Sequence, residues 1–195
     1  VLATSWELLD DGLTYRLHLR EGVNFHSGAP FDAEAVAWTF EKQLKTEPLA
    51  IGSGLVPPYS ELEILDEYTI EITLEEPNGV FMNILAAPLF MMVDPSRYKE
   101  LGEDYSTHPS GTGPFRFVSW SPDEKVVLEA NTDYWDPDNG PGVATLIFEV
   151  IPEAAARIIA LRNGDVDMIF AVPAEEVSAL ESDDDFKVVS SASMR

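Results

Sequence analysis

Two segments of the chain alternate strictly between apolar and polar side chains, and this alternation constrains the fold more than any other feature. The segment 15–19 is apolar at every odd position, and the segment 68–74 is apolar at every even position. A period of two residues predicts β-strands that bury one face and leave the other in water. The chain therefore needs a sheet with a covering layer on one side.

A helix with one apolar face is predicted to begin after Asp32 and to run to about Leu44. Asp32 is a favourable N-cap, and Val36, Phe40 and Leu44 recur at intervals of four residues. Phe31, just before the cap, and Val36, four residues after it, form a predicted hydrophobic staple. This helix is the first candidate for the covering layer.

Turn-forming residues divide the rest of the first 110 residues. The segment 48–60 is rich in proline and glycine and predicts a loop, and a hairpin with its turn at 66–67 follows it. Short helices are predicted over 80–85 and between Asp94 and Gly102, where an aspartate cap, a proline and a final glycine occur in the expected order. This part is predicted to be an α+β subdomain.

The remaining residues predict an α/β arrangement with a mainly parallel sheet. Strands and helices are expected in the following order: strands 115–120, 125–130 and 145–151, helix 153–163, strand 166–172, helix 174–180 and strand 186–191. The segment 145–151 is rich in apolar and β-branched residues and is expected to be a buried strand. The fold class is therefore mixed α/β, with a boundary between residues 1–110 and residues 111–195.

The overall charge excludes several classes of partner. The chain has 195 residues, with 35 acidic and 12 basic side chains, which gives a formal net charge of −23. Such a charge repels nucleic-acid backbones and anionic lipid. With no cysteine, the chain forms no disulfide and uses no thiol chemistry. The longest apolar run, 84–93, is shorter than the ~20 residues of a membrane span.

No set of side chains suitable for catalysis or metal binding stands out. The three histidines, His18, His26 and His108, lack the spacing of metal ligands, although His26 lies in a glycine-containing loop. No nucleophile, base and oxyanion-binding group occur together, so the sequence favours a protein that binds over one that converts. We expect no catalytic residue, no metal and no cofactor.

Seven segments, taken in order and with their spacing, carry a family resemblance: ATSWE (3–7), DGLTYRLHLREGVNFHSGAPFDAEAV (11–36), DEYTI (66–70), PSGTGPF (109–115), NTDYW (131–135), AAR (155–157) and LRNGDVD (161–167). Together they resemble the extracellular solute-binding proteins of family 5. Members of this family are the dipeptide-, oligopeptide- and nickel-binding components of ABC importers.

The resemblance implies a fold of the type II periplasmic binding proteins, in which two lobes enclose a solute. The chain would be an incomplete lobe one that starts within a longer protein and ends near the hinge, with the second lobe absent. Residues 1–110 would be the extra subdomain of that lobe, and residues 111–195 part of its α/β core. An isolated piece of this kind is expected to expose a sheet edge or a former interface.

The function implied by the resemblance is capture of a peptide or other small polar solute outside the membrane, followed by delivery to an ABC permease. We expect no enzymatic activity, no nucleic-acid partner and a full-length protein that is a monomer. Its location would be periplasmic or extracellular, with a lipid anchor at the cell surface as one form. The resemblance implies that the nickel carriers of this family use an arginine in the segment that corresponds to 88–92. No arginine lies between Glu21 and Asp94 in this chain, and this departure argues against a metal chelate as the solute.

Ligand contacts implied by the resemblance lie in three segments that approach the cleft in family members. The candidate residues are Tyr59, Phe90, Met91, Met92 and Met194. Two other functions are alternatives: a ligand-sensing domain of a regulatory protein, and a fragment of an α/β hydrolase or transferase. A nucleophile–base pair in a pocket would favour the enzyme, and a DNA-binding or kinase segment in the same gene product would favour the sensor.

Overall fold

The computed structural model describes residues 1–41 and 57–191, and it combines two sheets with short helices. The strands are β1 (Ala3–Leu8), β2 (Thr14–Leu19), β3 (Tyr59–Asp66), β4 (Thr69–Leu74), β5 (Phe115–Ser121), β6 (Lys125–Ala130) and β7 (Thr145–Glu149). The helices are α1 (Ala33–Trp38), α2 (Phe81–Leu85), α3 (Pro95–Leu101), α4 (Ala154–Asn163) and α5 (Ala174–Glu181). Three 3₁₀ turns cover Pro88–Phe90, Gly102–Thr107 and Pro137–Asn139. The predicted mixed α/β class is confirmed.

The first sheet is antiparallel, with the strand order β1-β2-β4-β3. Leu17 of β2 lies opposite Ile70 of β4, so the apolar faces of the two alternating segments coincide. Arg16 lies on the other face and forms ion pairs with Glu7 and Glu71 on the neighbouring strands. The alternation therefore predicts both the strands and the side of the sheet that faces water.

Helix α1 packs over this sheet, as the cap and the staple predict. The Asp32 carboxylate accepts a 2.9 Å hydrogen bond from the Ala35 backbone N–H, and Phe31 and Val36 are both buried. The α-helix ends at Trp38, and residues 39–41 continue in a wider π-type turn. The predicted continuation to Leu44 and most of the predicted loop 48–60 lie outside the described residues. The end of that loop prediction is wrong, because residues 59 and 60 belong to β3.

Helix α3 has the boundaries that the local signals indicate. Asp94 caps its first turn with hydrogen bonds from the backbone N–H groups of Ser96 and Arg97. Pro95 is its first residue, where the missing N–H is harmless. Gly102 follows its end with φ +58° and ψ −123°, a conformation that side chains disfavour.

The second sheet has the strand order β5-β6-β7, and its exposure differs from the prediction. The segment 145–151 was expected to be a buried strand, but β7 ends at Glu149. Ile147 and Phe148 on it are 50% and 48% exposed. An apolar strand is buried only when another layer covers it, and within the described residues these two side chains are covered only in part. The exposure of Ile147 and Phe148 agrees with the expectation that an isolated piece of a lobe exposes apolar surface.

Two predicted strands are absent from the described residues, and this corrects the expected parallel sheet. Residues 166–172 and 186–191 form no strand. A strand requires a neighbouring backbone for its hydrogen bonds, and in segment 166–172 the carbonyl of Ala171 instead accepts a 3.3 Å hydrogen bond from Arg157. Met168 and Phe170 are largely exposed. A β-branched and apolar composition alone therefore does not predict a strand in this part of the chain.

Two compact units make up the chain. The first consists of Val1–Ser121 with Val126–Ile147 and contains the four-stranded sheet, α1, α2 and α3. The second consists of Pro122–Lys125 with Phe148–Arg195 and contains α4 and α5. The boundary between residues 110 and 111 stays a prediction. No helix in the described part of the chain is long and apolar enough to cross a membrane.

Candidate functional site

The candidate site begins with a short loop that presents His26. Phe25 and Phe31 are both buried and anchor the two ends of the loop in the core of the first unit. Asn24 and Pro30 form an isolated antiparallel bridge, and Gly28 reverses the chain between them with φ +91°. A side chain at the tip of such an anchored loop has a fixed position.

The imidazole of His26 is held through both ring nitrogens. Nε2 lies 2.9 Å from the carbonyl oxygen of Gly113, and Nδ1 lies 3.3 Å from the backbone N–H of Gly111. A carbonyl can only accept and an amide N–H can only donate, so the ring is neutral with its proton on Nε2. The His26 backbone N–H also donates to the Gly111 carbonyl over 2.8 Å. Three hydrogen bonds thus join the loop to the turn 111–114.

The electrostatic surroundings of His26 favour its neutral form. Burial lowers the pKa of His26, and the positive charge of Arg116 lowers it further. The hydrogen bond to Gly113 and the negative charge of Asp94 act in the opposite direction, and the net shift is downward.

A buried carboxylate supports the same turn from the other end. Asp94 has no exposed surface, and its Oδ2 accepts a 2.7 Å hydrogen bond from the Ser110 hydroxyl. Burial alone would raise the pKa of Asp94, but hydrogen bonds from Ser27, Ser96 and Ser110 lower it below its ordinary value. The carboxylate thus joins the loop at Ser27, the start of α3 and the residue before Gly111.

The segment that follows β6 completes the support of the turn. The Asn131 side-chain amide donates to the Gly113 carbonyl over 3.1 Å, and the Trp135 indole N–H donates to the Thr112 carbonyl over 3.2 Å. The guanidinium of Arg20 lies 4.6 Å from the ring centre of Trp135. The turn is therefore fixed by side chains from three separate parts of the first unit.

An apolar cavity of about 430 Å³ lies beside this turn. Its main wall is formed by side chains of β5 and β6, namely Phe115, Phe117, Trp120, Val126 and Leu128. His26 and Gly111 from the joined segments also line it. With three aromatic side chains in its wall and no ionised side chain, the cavity suits an uncharged group.

The structure places the predicted contact residues elsewhere. Tyr59 is buried at the start of β3, with its hydroxyl 3.1 Å from a carboxylate oxygen of Glu41; burial, together with Glu41, raises its pKa. Phe90 is buried, whereas Met91 is 69% exposed and Met92 packs partly against the core. None of these residues lines the cavity. Met194 lies outside the described residues, and the role of all five as ligand contacts stays a prediction.

Sequence analysis missed the cavity, although a signal for it was present. Phe115 and Phe117 alternate on one predicted strand, and Val126 and Leu128 alternate on the next. Two adjacent strands with matching alternation predict a shared apolar face. Among the described residues, no group of three or more histidine or acidic side chains is placed to hold a metal ion.

Comparison with known proteins gives the family to which this fold belongs. The chain belongs to the bacterial extracellular solute-binding proteins, family 5 Middle, whose family model matches residues 1–195. A similar curated protein is the glutathione-binding protein GsiB of Pectobacterium atrosepticum, which is 31% identical over 194 residues. The match covers 100% of this chain and 38% of that protein. The chain thus spans well under half the length of this relative.

Solved structures give the same assignment. The periplasmic binding protein DppA from Helicobacter pylori, in complex with the peptide STSA, matches with a TM-score of 0.84 and 32% identity, covering 94% of this chain and 40% of that chain. A nickel ABC transporter protein from Bacillus halodurans matches with a TM-score of 0.81 and 32% identity, covering 94% and 36%. These relatives are described as binding or transport proteins, which agrees with the expectation of a protein that binds.

Proposed function

We propose that this chain is part of the solute-binding component of an ABC importer. In this role the protein captures a small polar solute or peptide outside the membrane and delivers it to a permease. The observation that carries the proposal is the match of all 195 residues to one family of extracellular solute-binding proteins. Structural similarity to a peptide-bound protein and to a nickel transport protein supports it.

The mechanism that follows is capture by closure of two lobes. A solute binds one lobe, and the other lobe closes because the ligand has a higher affinity for the closed state. The closed form is then the form that the permease recognises. No covalent bond changes in this cycle, so the protein is not an enzyme and the solute leaves it unaltered.

The location and assembly state belong to the same proposal. The protein works in the periplasm or at the outer cell surface, where a lipid anchor is one means of retention. It acts as a monomer, in which one pair of lobes encloses one solute. The charge of −23 on these 195 residues disfavours contact of this part of the protein with anionic lipid surfaces.

The solute class is proposed from the range of relatives. Their descriptions include glutathione for the Pectobacterium protein, the peptide STSA for the Helicobacter protein and agropinic acid for AgaA of Agrobacterium. These are small polar molecules, the first two of them peptides. We therefore place this chain with carriers of peptides or comparably small polar solutes.

The proposed contacts are Tyr59, Phe90, Met91, Met92 and Met194. Of the four in the described part of the chain, Met91 is the best placed for direct contact because most of its surface is exposed. A methionine suits varied cargo because its thioether is flexible and polarisable. Tyr59 and Phe90 are buried in the described part of the chain and remain proposed contacts.

The test uses the natural protein that contains this sequence. It is purified without added ligand and examined by native mass spectrometry, and the bound molecule is released by denaturation and identified. We expect one solute per protein molecule, recovered chemically intact after prolonged incubation. A protein that converts the solute, or one that binds no peptide or small polar solute in a broad panel, would contradict the proposal.

A further inference from the structure

We propose that His26 is a pH-sensitive clasp that holds the turn 111–114 against the loop 25–30 and so shapes one wall of the apolar cavity. The contacts that carry the inference are the two ring hydrogen bonds, to Gly113 and Gly111, and the backbone hydrogen bond to Gly111. His26 and Gly111 themselves line the cavity. Two residues of the clasp therefore also belong to the lining of the cavity.

Protonation of the ring breaks this arrangement at one atom. In the neutral ring, Nδ1 accepts from the Gly111 N–H. A protonated ring carries a proton on both nitrogens, so two donors would face each other at Nδ1. The Nε2–H bond to Gly113 and the backbone bond from His26 to the Gly111 carbonyl survive, so the turn loses one of its three hydrogen bonds with the loop.

The charges around His26 act in opposite directions. Arg116, at the start of β5, disfavours a second positive charge, and Asp94, at the start of α3, favours it. The largest influence is burial of the ring beside an apolar cavity, which lowers the pKa of His26. The ring is therefore neutral at neutral pH, and acidification weakens the clasp by removing the hydrogen bond between Nδ1 and the Gly111 N–H.

The effect on stability has a definite sign. A histidine with a lowered folded-state pKa takes up its proton more readily in the unfolded chain, so acid favours unfolding. The contribution of the neutral ring is fully present above the ordinary histidine pKa of about 6.5. It is lost as the pH falls from that value through the folded-state pKa.

The turn carries its own reporters for the test. The Gly111 amide contacts the ring directly, and the Trp135 indole N–H donates to Thr112 in the middle of the turn. In the ¹⁵N-labelled natural protein, nuclear magnetic resonance follows these two groups and the imidazole nitrogens as the pH falls from about 8 to about 5. We expect a proton on Nε2 at high pH and a common transition of all three signals, with an apparent pKa below about 6.5.

Two variants distinguish titration of His26 from other effects of low pH on the protein. His26→Gln keeps a donor and an acceptor but does not titrate in this range, so the transition of the Gly111 and Trp135 signals should disappear. His108→Gln removes a histidine whose ring lies 5.9 Å from that of Phe117 in the cavity wall, and this change should leave the transition intact.

Several results would overturn the proposal. They are a proton on Nδ1 at high pH, an apparent pKa at or above the ordinary value, unresponsive Gly111 and Trp135 signals, and a transition that persists in His26→Gln. If His26→Gln does not fold, the proposal is tested with the unaltered protein and His108→Gln. All three signals must then change together in each of these two proteins, and a failure in either would overturn the proposal.

Discussion

The Oδ2 atom of Asp94 accepts a 2.7 Å hydrogen bond from the hydroxyl of Ser110, and both residues are buried. The other oxygen of the same carboxylate caps α3. One buried charge therefore joins the start of a helix to the segment that leads into β5. A buried carboxylate is tolerated only when hydrogen bonds replace the water it has lost, and here they do so from several sides.

Replacement of this carboxylate should destabilise the first unit. Asp94→Ala removes the helix cap and leaves the Ser110 hydroxyl without its acceptor, so we expect a loss of about 2–3 kcal/mol in the free energy of unfolding. Chemical denaturation measures this loss. The control is Asp184→Ala, which alters an exposed carboxylate and should change stability by less than about 0.5 kcal/mol. Equal effects of the two variants would contradict the role assigned to Asp94.

Two glycines that end helices should differ in their tolerance of a side chain. Gly164, after α4, has φ +75° and ψ +18°, which is the left-handed region that alanine enters at a cost of about 1 kcal/mol. Gly102, after α3, has φ +58° and ψ −123°, which side chains hardly reach, so Gly102→Ala should cost about 2–3 kcal/mol.

Steric crowding does not complicate this comparison, because an added Cβ meets no atom within 4 Å at either glycine. The difference between the two alanine variants therefore measures backbone strain alone. Denaturation curves that give equal losses, or a larger loss for Gly164→Ala, would be inconsistent with these backbone angles.

The exposed face of the second sheet should bind an apolar probe. Trp120 on β5 is 48% exposed and lines the cavity. An uncharged dye such as Nile red, which the charge of −23 does not repel, should fluoresce with the chain, and Trp120→Gln should reduce the signal severalfold. Trp6→Gln is the matched control, because Trp6 is 52% exposed on the first sheet. A similar reduction by both variants would show that the cavity is not the site of dye binding.

The proposed ligand contacts can be tested with another matched pair. Met91 and Met168 are each 69% exposed, but only Met91 is a proposed contact. In the natural protein, Met91→Ser should weaken solute binding by about tenfold, which corresponds to the loss of one well-packed side chain. Met168→Ser should leave affinity unchanged, with both measured by isothermal titration calorimetry. Unaltered affinity in Met91→Ser would remove this residue from the contact set.

Local signals predicted local structure well. The boundaries of α3 follow from Asp94, Pro95 and Gly102, because cap, proline and glycine act within a few residues of one another. The strands β2 and β4 follow from alternation, since a half-buried strand imposes that period wherever it lies. In both cases the information is contained in the segment itself.

Features that depend on distant parts of the chain were not predicted. Residues 166–172 have the composition of a strand, but a strand exists only beside a neighbour, and composition does not report one. The contacts of His26 with Gly111 and Gly113 join positions more than 80 residues apart. The sequence identified His26 only as a histidine in a glycine-containing loop, while the contacts inferred from family resemblance stay predictions.

The central claim is that this sequence belongs to a carrier that encloses an unaltered solute, and calorimetry tests it most directly. The solute identified by mass spectrometry is titrated into the natural protein and, separately, into residues 1–195. The account predicts saturable one-to-one binding to the natural protein and at least a hundredfold weaker binding to residues 1–195, since a solute enclosed by two lobes loses most of its contacts when one is removed. Equally tight binding by residues 1–195 would contradict it, as would a titration heat that reports conversion of the solute.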